Sequence, residues 1–347
     1  MTILREPFSS SHVNNVDSGD VYAIYRDWPN LATKGFEAAE GIPMGDFKRV
    51  AILGMGGSAA GGDIIASWLS RRDGVEVSVF NGVVPAISLK GTFALACSAS
   101  GGTVETLEMT RDALKRGATV VSISAGGELE KIAEKYRIRH IRSPAAKAPR
   151  YMLPFLLFAC VGAVNQSLSL SAETEVKAAL GSLRRTWPGL AIDSPRRKNP
   201  AKDLALRLIG KVPKVYGTRL TRGAGLRFTK AVNENAKSNA FFEEVPEALH
   251  NDVESWETRA RGFVPVILNH SADDKLDAIR LERLGAAMKT KGTPPIAVRG
   301  EAGRPLAEIV SLVYRLDMAS YYLAIAQDID PLPTLLLTSL RHQIGST

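Results

Sequence analysis

Short apolar runs alternate with helical patterns along the first half of the chain. The runs are rich in Val, Ile, Leu and Ala, which is typical of strands buried on both faces. They predict strands at 49–53, 75–80, 92–96 and 118–123, and 139–141 is predicted as a short fifth strand. Apolar residues at helical spacing between them predict helices at 104–116, 128–136 and 151–164. This alternation predicts an α/β fold in which helices cover both faces of a parallel sheet.

The second half of the chain repeats this plan with weak sequence similarity. The same patterns predict strands at 214–217, 263–268 and 295–298 and helices at 200–209, 225–235, 275–289 and 305–328. A polar stretch with Pro195 and Pro200 separates the halves, as is typical of a domain boundary. We predict four parts in chain order: an N-terminal arm over 1–40, a first domain over 41–168, a linker over 169–198 and a second domain over 199–347.

Two prolines are predicted to end helices. Pro29 follows a helical pattern that begins near Val21, and Pro188 follows one that covers 172–185. Because proline lacks the backbone N–H that a helix interior needs, we expect both helices to stop there.

The formal net charge of +8 raises the question of a nucleic-acid partner. The basic residues are spread along the chain, and the densest cluster is Arg196-Arg197-Lys198. No aromatic residues or nucleic-acid motif accompany it. An anionic small molecule explains the charge equally well, so we expect a small-molecule substrate and no nucleic-acid partner.

Composition limits several other classes of function. Cys97 and Cys160 are the only cysteines, too few for a disulfide framework or a zinc site. No cluster of His, Cys and carboxylates has metal-ligand spacing. The first residues lack the apolar core of a signal peptide, and the most apolar segment, 151–164, is too short to span a bilayer. We expect a cytoplasmic protein without a metal or a membrane segment.

A loop rich in hydroxyls and glycine follows the third predicted strand: Cys97-Ser98-Ala99-Ser100-Gly101-Gly102-Thr103. Parallel sheets bind ligands beyond the carboxyl ends of their strands, and the first turn of the next helix offers unpaired N–H groups to an anion. Glycines allow close approach, and hydroxyls donate to phosphate oxygens. The loop therefore predicts a phosphate cradle. The alternative is a capped helix start, with Ser100 or Thr103 as the N-cap.

A second glycine loop, Gly54-Met55-Gly56-Gly57-Ser58-Ala59, follows the first predicted strand. Its spacing matches a dinucleotide-binding fingerprint, which needs an acidic residue at the end of the second strand. The chain there is Val79-Phe80-Asn81-Gly82, without a carboxylate. Ser58 instead lies at the start of a helix, where anions bind. We therefore favour phosphate binding by both loops over a nicotinamide site, and we expect no cofactor.

Three groups of residues carry a resemblance to a known family. They are Gly54-Met55-Gly56-Gly57-Ser58, then Ser98-x-Ser100-Gly101-x-Thr103-x-Glu105-Thr106, and lastly Asn233-Glu234-Asn235-Ala236-Lys237 with Phe242-x-Glu244-Val245-Pro246-Glu247-x-x-His250-Asn251. With these motifs the chain resembles the bifunctional phosphoglucose/phosphomannose isomerases from about residue 40 to the C-terminus. The last group is the most specific of the three.

The resemblance implies two sugar-isomerase (SIS) domains, each a flavodoxin-like parallel sheet covered by helices on both faces. It implies a homodimer with shared active sites. The implied reaction interconverts glucose 6-phosphate, and mannose 6-phosphate, with fructose 6-phosphate. By motif position, the residues that would hold the phosphate are Gly57, Ser58, Ser98, Ser100 and Thr103.

The same resemblance gives roles to five further residues. Glu234 corresponds to the catalytic base, and His250 to the ring-opening residue, contributed across the dimer interface. Arg150 corresponds to an arginine that stabilises the intermediate. In the C-terminal tail, Thr334 corresponds to a threonine linked to accepting both epimers. Arg341 takes a catalytic position that is usually lysine.

These residue types suit the implied chemistry. The reaction opens the sugar ring and moves a proton between C1 and C2 through an enediolate. One carboxylate, Glu234, can take and return that proton, and the imidazole of His250 titrates near neutrality, as proton exchange during ring opening requires. A guanidinium, Arg150, can stabilise the anionic enediolate.

The sequence also predicts the surroundings of two of these residues. Arg150 precedes the apolar segment 151–164, so we expect its head at a helix N-terminus near the loops of the first domain. Asn251 and Asp252 follow His250, and we expect these polar side chains to fix its tautomer.

Two departures from the family pattern bear on rate and substrate choice. Gly102 stands where the family usually has Asn or Asp, which removes one loop hydrogen bond. Arg341 keeps the charge of the usual lysine but is planar and bulkier. These departures leave two alternatives open: a sugar-phosphate-binding SIS protein without catalysis, and an isomerase of another phosphosugar.

Overall fold

The computed structural model describes residues 7–42, 45–83, 88–258 and 262–345. The strands in these ranges are β1 (Arg49–Gly54), β2 (Glu76–Phe80), β3 (Thr92–Cys97), β4 (Thr119–Ser124), β5 (Arg139–Arg142), β6 (Val212–Gly217), β7 (Phe241–Glu244), β8 (Phe263–Asn269) and β9 (Ile296–Arg299). The helices are α1 (Ser10–Val16), α2 (Val21–Arg26), α3 (Trp28–Ala38), α4 (Gly56–Leu69), α5 (Val104–Lys115), α6 (Gly127–Tyr136), α7 (Leu153–Ser167), α8 (Glu173–Leu190), α9 (Pro200–Leu208), α10 (Arg222–Ala236), α11 (Lys275–Thr290), α12 (Pro305–Ala326) and α13 (Leu335–Gly345).

The first sheet has the strand order β2-β1-β3-β4-β5, and all of its pairs are parallel. This order confirms the flavodoxin-like sheet. β1 and β3 are neighbours, with Gly54 opposite Cys97. The chain leaves β1 towards one edge of the sheet and β3 towards the other, so a crevice opens beyond the ends of these two strands. The two glycine-rich loops of the sequence lie at this crevice.

The second sheet has the order β7-β6-β8-β9 and is also parallel. It confirms a second α/β unit in the chain. β7 is not predicted by the apolar pattern, because its sequence, Phe-Phe-Glu-Glu, neither alternates nor forms an apolar run. Its pairing with β6, in which Phe242 lies opposite Val215, makes it an edge strand.

The helix α12 lies at the centre of the protein. It packs against α8, α9 and α10 and contacts α4, so one apolar core is continuous between the two sheets. Among the described helices, α12 alone is long and apolar enough to cross a membrane, and 89% of the relevant window is buried inside the protein. Its place in the core accounts for its apolar composition.

Two glycines allow helices to cross closely around this core. A Cβ atom at Gly223 would lie 2.5 Å from the carbonyl oxygen of Asp63, where α10 crosses α4. A Cβ at Gly35 would lie 2.3 Å from the carbonyl oxygen of Phe155, where the N-terminal α3 crosses α7. Distances this short exclude any side chain, so these glycines fix how the arm and the second sheet pack on the first.

The helix that begins at Val21 ends at Arg26, before Pro29, as predicted, but the prediction for Pro188 was wrong. Pro29 lies in the first turn of α3, where its missing N–H would have no helical partner and its fixed φ suits a helix. Pro188 lies inside α8, which continues to Leu190. Because Pro188 is in the last turn, its missing N–H costs α8 one hydrogen bond close to the end of the helix. The segment 169–198 thus contains a helix packed on α12, and the domain boundaries themselves stay a prediction.

Candidate active site

The two loops at the crevice of the first sheet are joined by a hydrogen bond. The backbone N–H of Ala99 donates to Oγ of Ser58 over 3.2 Å. Ser58 is buried in the first turn of α4, and Ser98 is buried directly after β3. The hydroxyls that the sequence predicts on separate loops therefore belong to one continuous surface.

Within the second loop, the hydroxyl of Ser98 organises the backbone. Its Oγ accepts from the N–H of Gly101 over 3.0 Å and lies 3.1 Å from Oγ1 of Thr103. The exposed Ser100 accepts from the N–H of Gly102 over 3.3 Å. The loop is thus held in a tight arc by its own hydroxyls.

Thr103 occupies the N-cap position of α5, but its side chain makes no capping bond. Its hydroxyl contacts Ser98 instead. No described group accepts a hydrogen bond from the N–H groups of residues 104–106 in the first turn of α5. A capped helix start is therefore not what the structure contains, and three N–H donors remain at the positive end of the helix dipole, where an anion is stabilised.

The two adjacent glycines of this loop differ in what they require. Gly101 has φ +72°, and a Cβ there would lie 1.8 Å from the carbonyl oxygen of Gly126. Gly102 has nothing within 4 Å of a Cβ position. Gly101 is needed for the shape of the loop. The departure from the family at Gly102 leaves an open space beside the hydroxyls.

Gly57 brings a second part of the chain to the crevice. A Cβ at Gly57 would lie 2.9 Å from Cα of Arg150, so only glycine allows this approach. Arg150 lies in a short 3-10 turn, Pro149–Met152, that precedes α7. The expectation that Arg150 directs its head to the N-terminus of a helix over 151–164 is wrong. Packing against Gly57 places its backbone beside the loops and sends its side chain across to α10.

The guanidinium of Arg150 is buried, and it binds residues of the second half of the chain. Nε donates to Oδ1 of Asn235 over 3.0 Å, and Nη1 donates to Oε2 of Glu234 over 3.3 Å. The side chain of Arg150 is 2% exposed, whereas that of Glu234 is 27% exposed. The carboxylate therefore has an open side from which a substrate can reach it, while the cation beside it is fixed by the protein.

Asn235 holds the guanidinium of Arg150 in place beside Glu234. This role of Asn235 was not predicted. Its amide Nδ2 donates to the hydroxyls of Tyr25 and Ser320 over 3.0 and 2.9 Å, which leaves Oδ1 to accept from Arg150 and Tyr151. Both amide protons are thus engaged, and the single hydroxyl proton of Tyr151 is shared between Oδ1 and the carbonyl oxygen of Pro331. The position of Asn235 next to Glu234 was the only sign in the sequence of such a role. Its hydrogen-bond partners could not be predicted because they come from three distant segments of the chain.

A buried ion pair supports Arg150 from the other side. Arg227 and Asp317 are fully buried and bonded to each other, and Nη2 of Arg227 donates to the backbone oxygen of Arg150 over 3.1 Å. Burial alone would lower the pKa of Arg227, but the charge of Asp317 raises it overall. Burial raises the pKa of Asp317 against the pull of Arg227. Burying two charges carries a large desolvation penalty, so removal of either Arg227 or Asp317 would leave an unpaired buried charge and destabilise the fold.

His250 is not brought to this group of residues within one chain. It is exposed, and no described group bonds to its ring. The expected partners are engaged elsewhere: Oδ1 of Asn251 accepts from the backbone of Asp252, and the carboxylate of Asp252 binds Tyr216 and Lys214. The prediction that Asn251 and Asp252 fix the tautomer of His250 is therefore wrong.

The C-terminal residues of the predicted site are partly described. Thr334 is half-buried directly before α13, and its carbonyl oxygen accepts the first bonds of that helix from Thr338. The side chain of Arg341 lies outside the described part of the structure. Among the residues that the structure describes, no group of three His, Cys, Asp or Glu side chains is arranged to hold a metal ion.

Comparison of the chain with known proteins identifies its family. The family of bacterial phospho-glucose isomerase C-terminal SIS domains matches residues 197–344. A bifunctional phosphoglucose/phosphomannose isomerase from Caldicellulosiruptor bescii is 30% identical over 91% of this chain and 96% of its own length. The chain belongs to the bifunctional phosphoglucose/phosphomannose isomerase family.

Two further proteins are similar to this chain. A D-glucosamine-6-phosphate 4-epimerase from Sulfolobus acidocaldarius is 29% identical over 77% of this chain and 78% of its own length. A crystal structure of a glucose-6-phosphate isomerase like protein from Thermus thermophilus covers 98% of this chain and 99% of its own, with a TM-score of 0.64 at 20% identity. The latter shows that the fold extends along the whole chain.

Proposed function

We propose that the protein is an aldose–ketose isomerase that interconverts glucose 6-phosphate, and mannose 6-phosphate, with fructose 6-phosphate. One observation carries this proposal. Arg150 packs its backbone on Gly57 in the phosphate loop and directs its guanidinium to within 3.3 Å of the Glu234 carboxylate. Anion-binding loop, cation and base thus form one connected group, as the isomerisation of a phosphorylated sugar requires.

The loops would hold the phosphate. The unpaired N–H groups that begin α5 offer donors without adding charge. The hydroxyls of Ser58, Ser98, Ser100 and Thr103 lie on the two linked loops that lead to them. The backbone of Gly57 lies at the start of α4 in the same crevice. An anchor at one end of the substrate leaves C1 and C2 to be positioned by residues at the other end.

Glu234 would then move the proton between C1 and C2. Its side chain is partly exposed while Oε2 accepts from Arg150, and a single carboxylate can serve both carbons of a cis-enediolate. Three of the five guanidinium protons of Arg150 are directed to Asn235 and to the backbone of residues 331 and 332. Nη1 carries the other two, of which one donates to Glu234. The second would donate to the enediolate oxygen, which such a donor stabilises.

His250 would open the ring in the active site of a second subunit. Its exposed ring, without a partner among the described residues, supports this assignment. Exposed Leu335, Leu336 and Leu340 on α13 supply apolar surface for a second copy. In the tail, Thr334 would help to accept both epimers, and Arg341 would take the position of the usual lysine. A cytoplasmic location fits the substrate, because sugar phosphates are charged and do not diffuse across membranes.

The first experiment supplies the pure protein with fructose 6-phosphate and follows glucose 6-phosphate and mannose 6-phosphate separately. We expect both products. Binding without turnover would replace this proposal with a sugar-phosphate-binding protein. Conversion of glucosamine 6-phosphate at C4, without the other two products, would favour the activity named for the Sulfolobus relative.

A second experiment tests the shared sites. Glu234→Gln and His250→Ala chains are co-expressed with different tags, and the mixed dimer is purified. If His250 acts across the interface, one site in each mixed dimer carries both changes and the other carries neither. We therefore expect about half of the wild-type activity per mixed dimer, because half of its sites are intact. An inactive mixed dimer, with dimerisation verified by light scattering, would show that His250 acts within its own chain.

A further inference from the structure

Residues 330–332 cross the end of α10 and are bound through their carbonyl oxygens. Nη2 of Arg150 donates to the oxygens of Pro331 and Leu332 over 2.7 Å each. Nζ of Lys237 donates to the oxygen of Asp330 over 2.9 Å and lies 3.4 Å from that of Pro331. Two cations therefore hold three successive carbonyl groups.

Lys237 is the residue at which this segment meets the helix of the base. It is the C-cap of α10, in the left-handed conformation with φ +51°, three residues after Glu234. Its Nζ also donates to the carbonyl oxygens of Glu234 and Asn235, over 2.8 and 3.1 Å. An ammonium group has three protons, and its three nearest acceptors are two carbonyls of the last helical turn and one of the crossing segment.

Other contacts show that the crossing segment has a defined place. The hydroxyl of Ser18 bonds to the carboxylate of Asp330. A Cβ at Gly19 would lie 2.4 Å from Cδ2 of Leu332, so the N-terminal arm packs directly on it. Two residues later the chain reaches Thr334 and the start of α13. Whatever fixes residues 330–332 therefore fixes where the C-terminal part of the predicted site begins.

We propose that Lys237 is a positioning residue, which binds residues 330–332 to the end of α10 and so holds the C-terminal segment beside the Arg150–Glu234 pair. This proposal rests on the isomerase function. The two cations differ in what they face. Arg150 also faces the reacting group, whereas all four acceptors near Nζ of Lys237 are backbone oxygens. Lys237 therefore contributes to catalysis through the placement of other residues.

The test compares Lys237→Met, which has a similar length but no charge, with Lys237→Arg, which keeps a charged donor. Lys131→Met is the matched control, since Lys131 is an exposed lysine on α6 that pairs with Glu128. Turnover is measured with fructose 6-phosphate. Cleavage by chymotrypsin without substrate, located by mass spectrometry, reports whether the backbone of α13 around Leu335 and Leu336 unfolds enough to be cut.

We expect Lys237→Met to lower kcat about ten-fold with KM changed less than about three-fold, and to speed C-terminal cleavage about ten-fold. Lys237→Arg should recover more than half of both effects, and Lys131→Met should match the wild type. Wild-type kcat and cleavage in Lys237→Met would overturn the proposal, and so would a loss of kcat without faster cleavage. Because cleavage is measured without substrate, a failure of the isomerase proposal leaves this result readable.

Discussion

Nη1 of Arg150 lies 3.3 Å from Oε2 of Glu234, although 84 residues separate the two along the chain. Arg150 belongs to the turn before α7, and Glu234 to the last turns of α10. The contact joins an element packed on the first sheet to an element packed on the second. The predicted chemistry therefore depends on how the two α/β units are packed together.

Glu234→Gln tests the base. Glutamine keeps the size of the side chain and can still accept from Arg150, but it cannot take a proton from carbon. We expect kcat to fall at least about 100-fold, the usual contribution of a general base. Binding of the sugar phosphate, measured by calorimetry, should change less than about three-fold. Glu282→Gln, an exposed change on α11, is the control. Turnover near that of the wild type would remove Glu234 as the base.

Gly57→Ala tests whether the phosphate loop positions Arg150. The new Cβ would lie 2.9 Å from Cα of Arg150, so the turn must move. We expect kcat to fall about ten-fold or more, because small displacements of reacting groups are costly. Gly61→Ala lies on the same helix, and its Cβ would meet Leu157 at an ordinary 3.5 Å. This control should retain the wild-type rate. Equal rates in both variants would contradict the coupling between loop and arginine.

Gly102→Asn tests the departure from the family pattern. Gly102 has open space at its Cβ position and no positive φ, so we expect Tm to change by less than about 3 °C. The new amide lies beside the loop hydroxyls, so KM should fall, by about three-fold for a modest hydrogen bond. At the adjacent Gly101, alanine would clash with the carbonyl of Gly126 and should lose phosphate binding. An unchanged KM in a folded Gly102→Asn protein would show that this position does not face the substrate.

The pH dependence of kcat tests Lys237. Burial of the ammonium group and the charge of Arg150 lower its pKa to about 8, while Asp330 and Glu234 oppose that shift. As the pH rises through this value, Nζ loses one of the protons that bind the carbonyl groups, so kcat should fall. Arginine does not titrate in this range, so Lys237→Arg should move this alkaline limb to higher pH. A limb that Lys237→Arg leaves in place would belong to another group.

Lys237 should affect the stability of the fold in the opposite direction to kcat as the pH rises. Its pKa in the folded protein lies below the value of about 10.4 in an unfolded chain. The unfolded chain therefore binds more protons between these two values, and the free energy of unfolding gains from Lys237 as the pH rises. We therefore expect that, as the pH rises through this window, Tm of the wild type falls no more than Tm of Lys237→Arg in the same thermal scans. A drop in Tm specific to the wild type would assign the loss of kcat to unfolding.

Sequence patterning predicts the five strands of the first sheet to within one residue at each end. The central strands β1, β3 and β4 are almost entirely buried, so their apolar runs end where the loops begin. β7 escapes prediction because its place depends on pairing with β6. The prediction for Pro188 fails because the position of a proline within a helical turn decides whether the helix stops, and the pattern of apolar residues does not locate helix ends that closely.

The loops of the site are predictable in the same way, and the side chains that cross between the units are not. Ser58 and Ser98 reach one crevice because both follow neighbouring parallel strands. Arg150 is long enough to reach several partners, and only the packing of Gly57 and the buried Asn235 selects among them. Lys237 lies within a recognised motif, yet its four carbonyl partners are backbone atoms that side-chain patterns do not reveal.

The contacts of Arg150 also bear on which parts of the chain can be exchanged between relatives. Its backbone fits a glycine of the first sheet's loop, while its guanidinium binds a carboxylate and two carbonyl groups of the second half. A chimaera that takes residues 197–344 from a relative would receive those acceptors without the arginine turn that was selected with them. Although each half has its own sheet, the predicted catalytic group is built from residues of both.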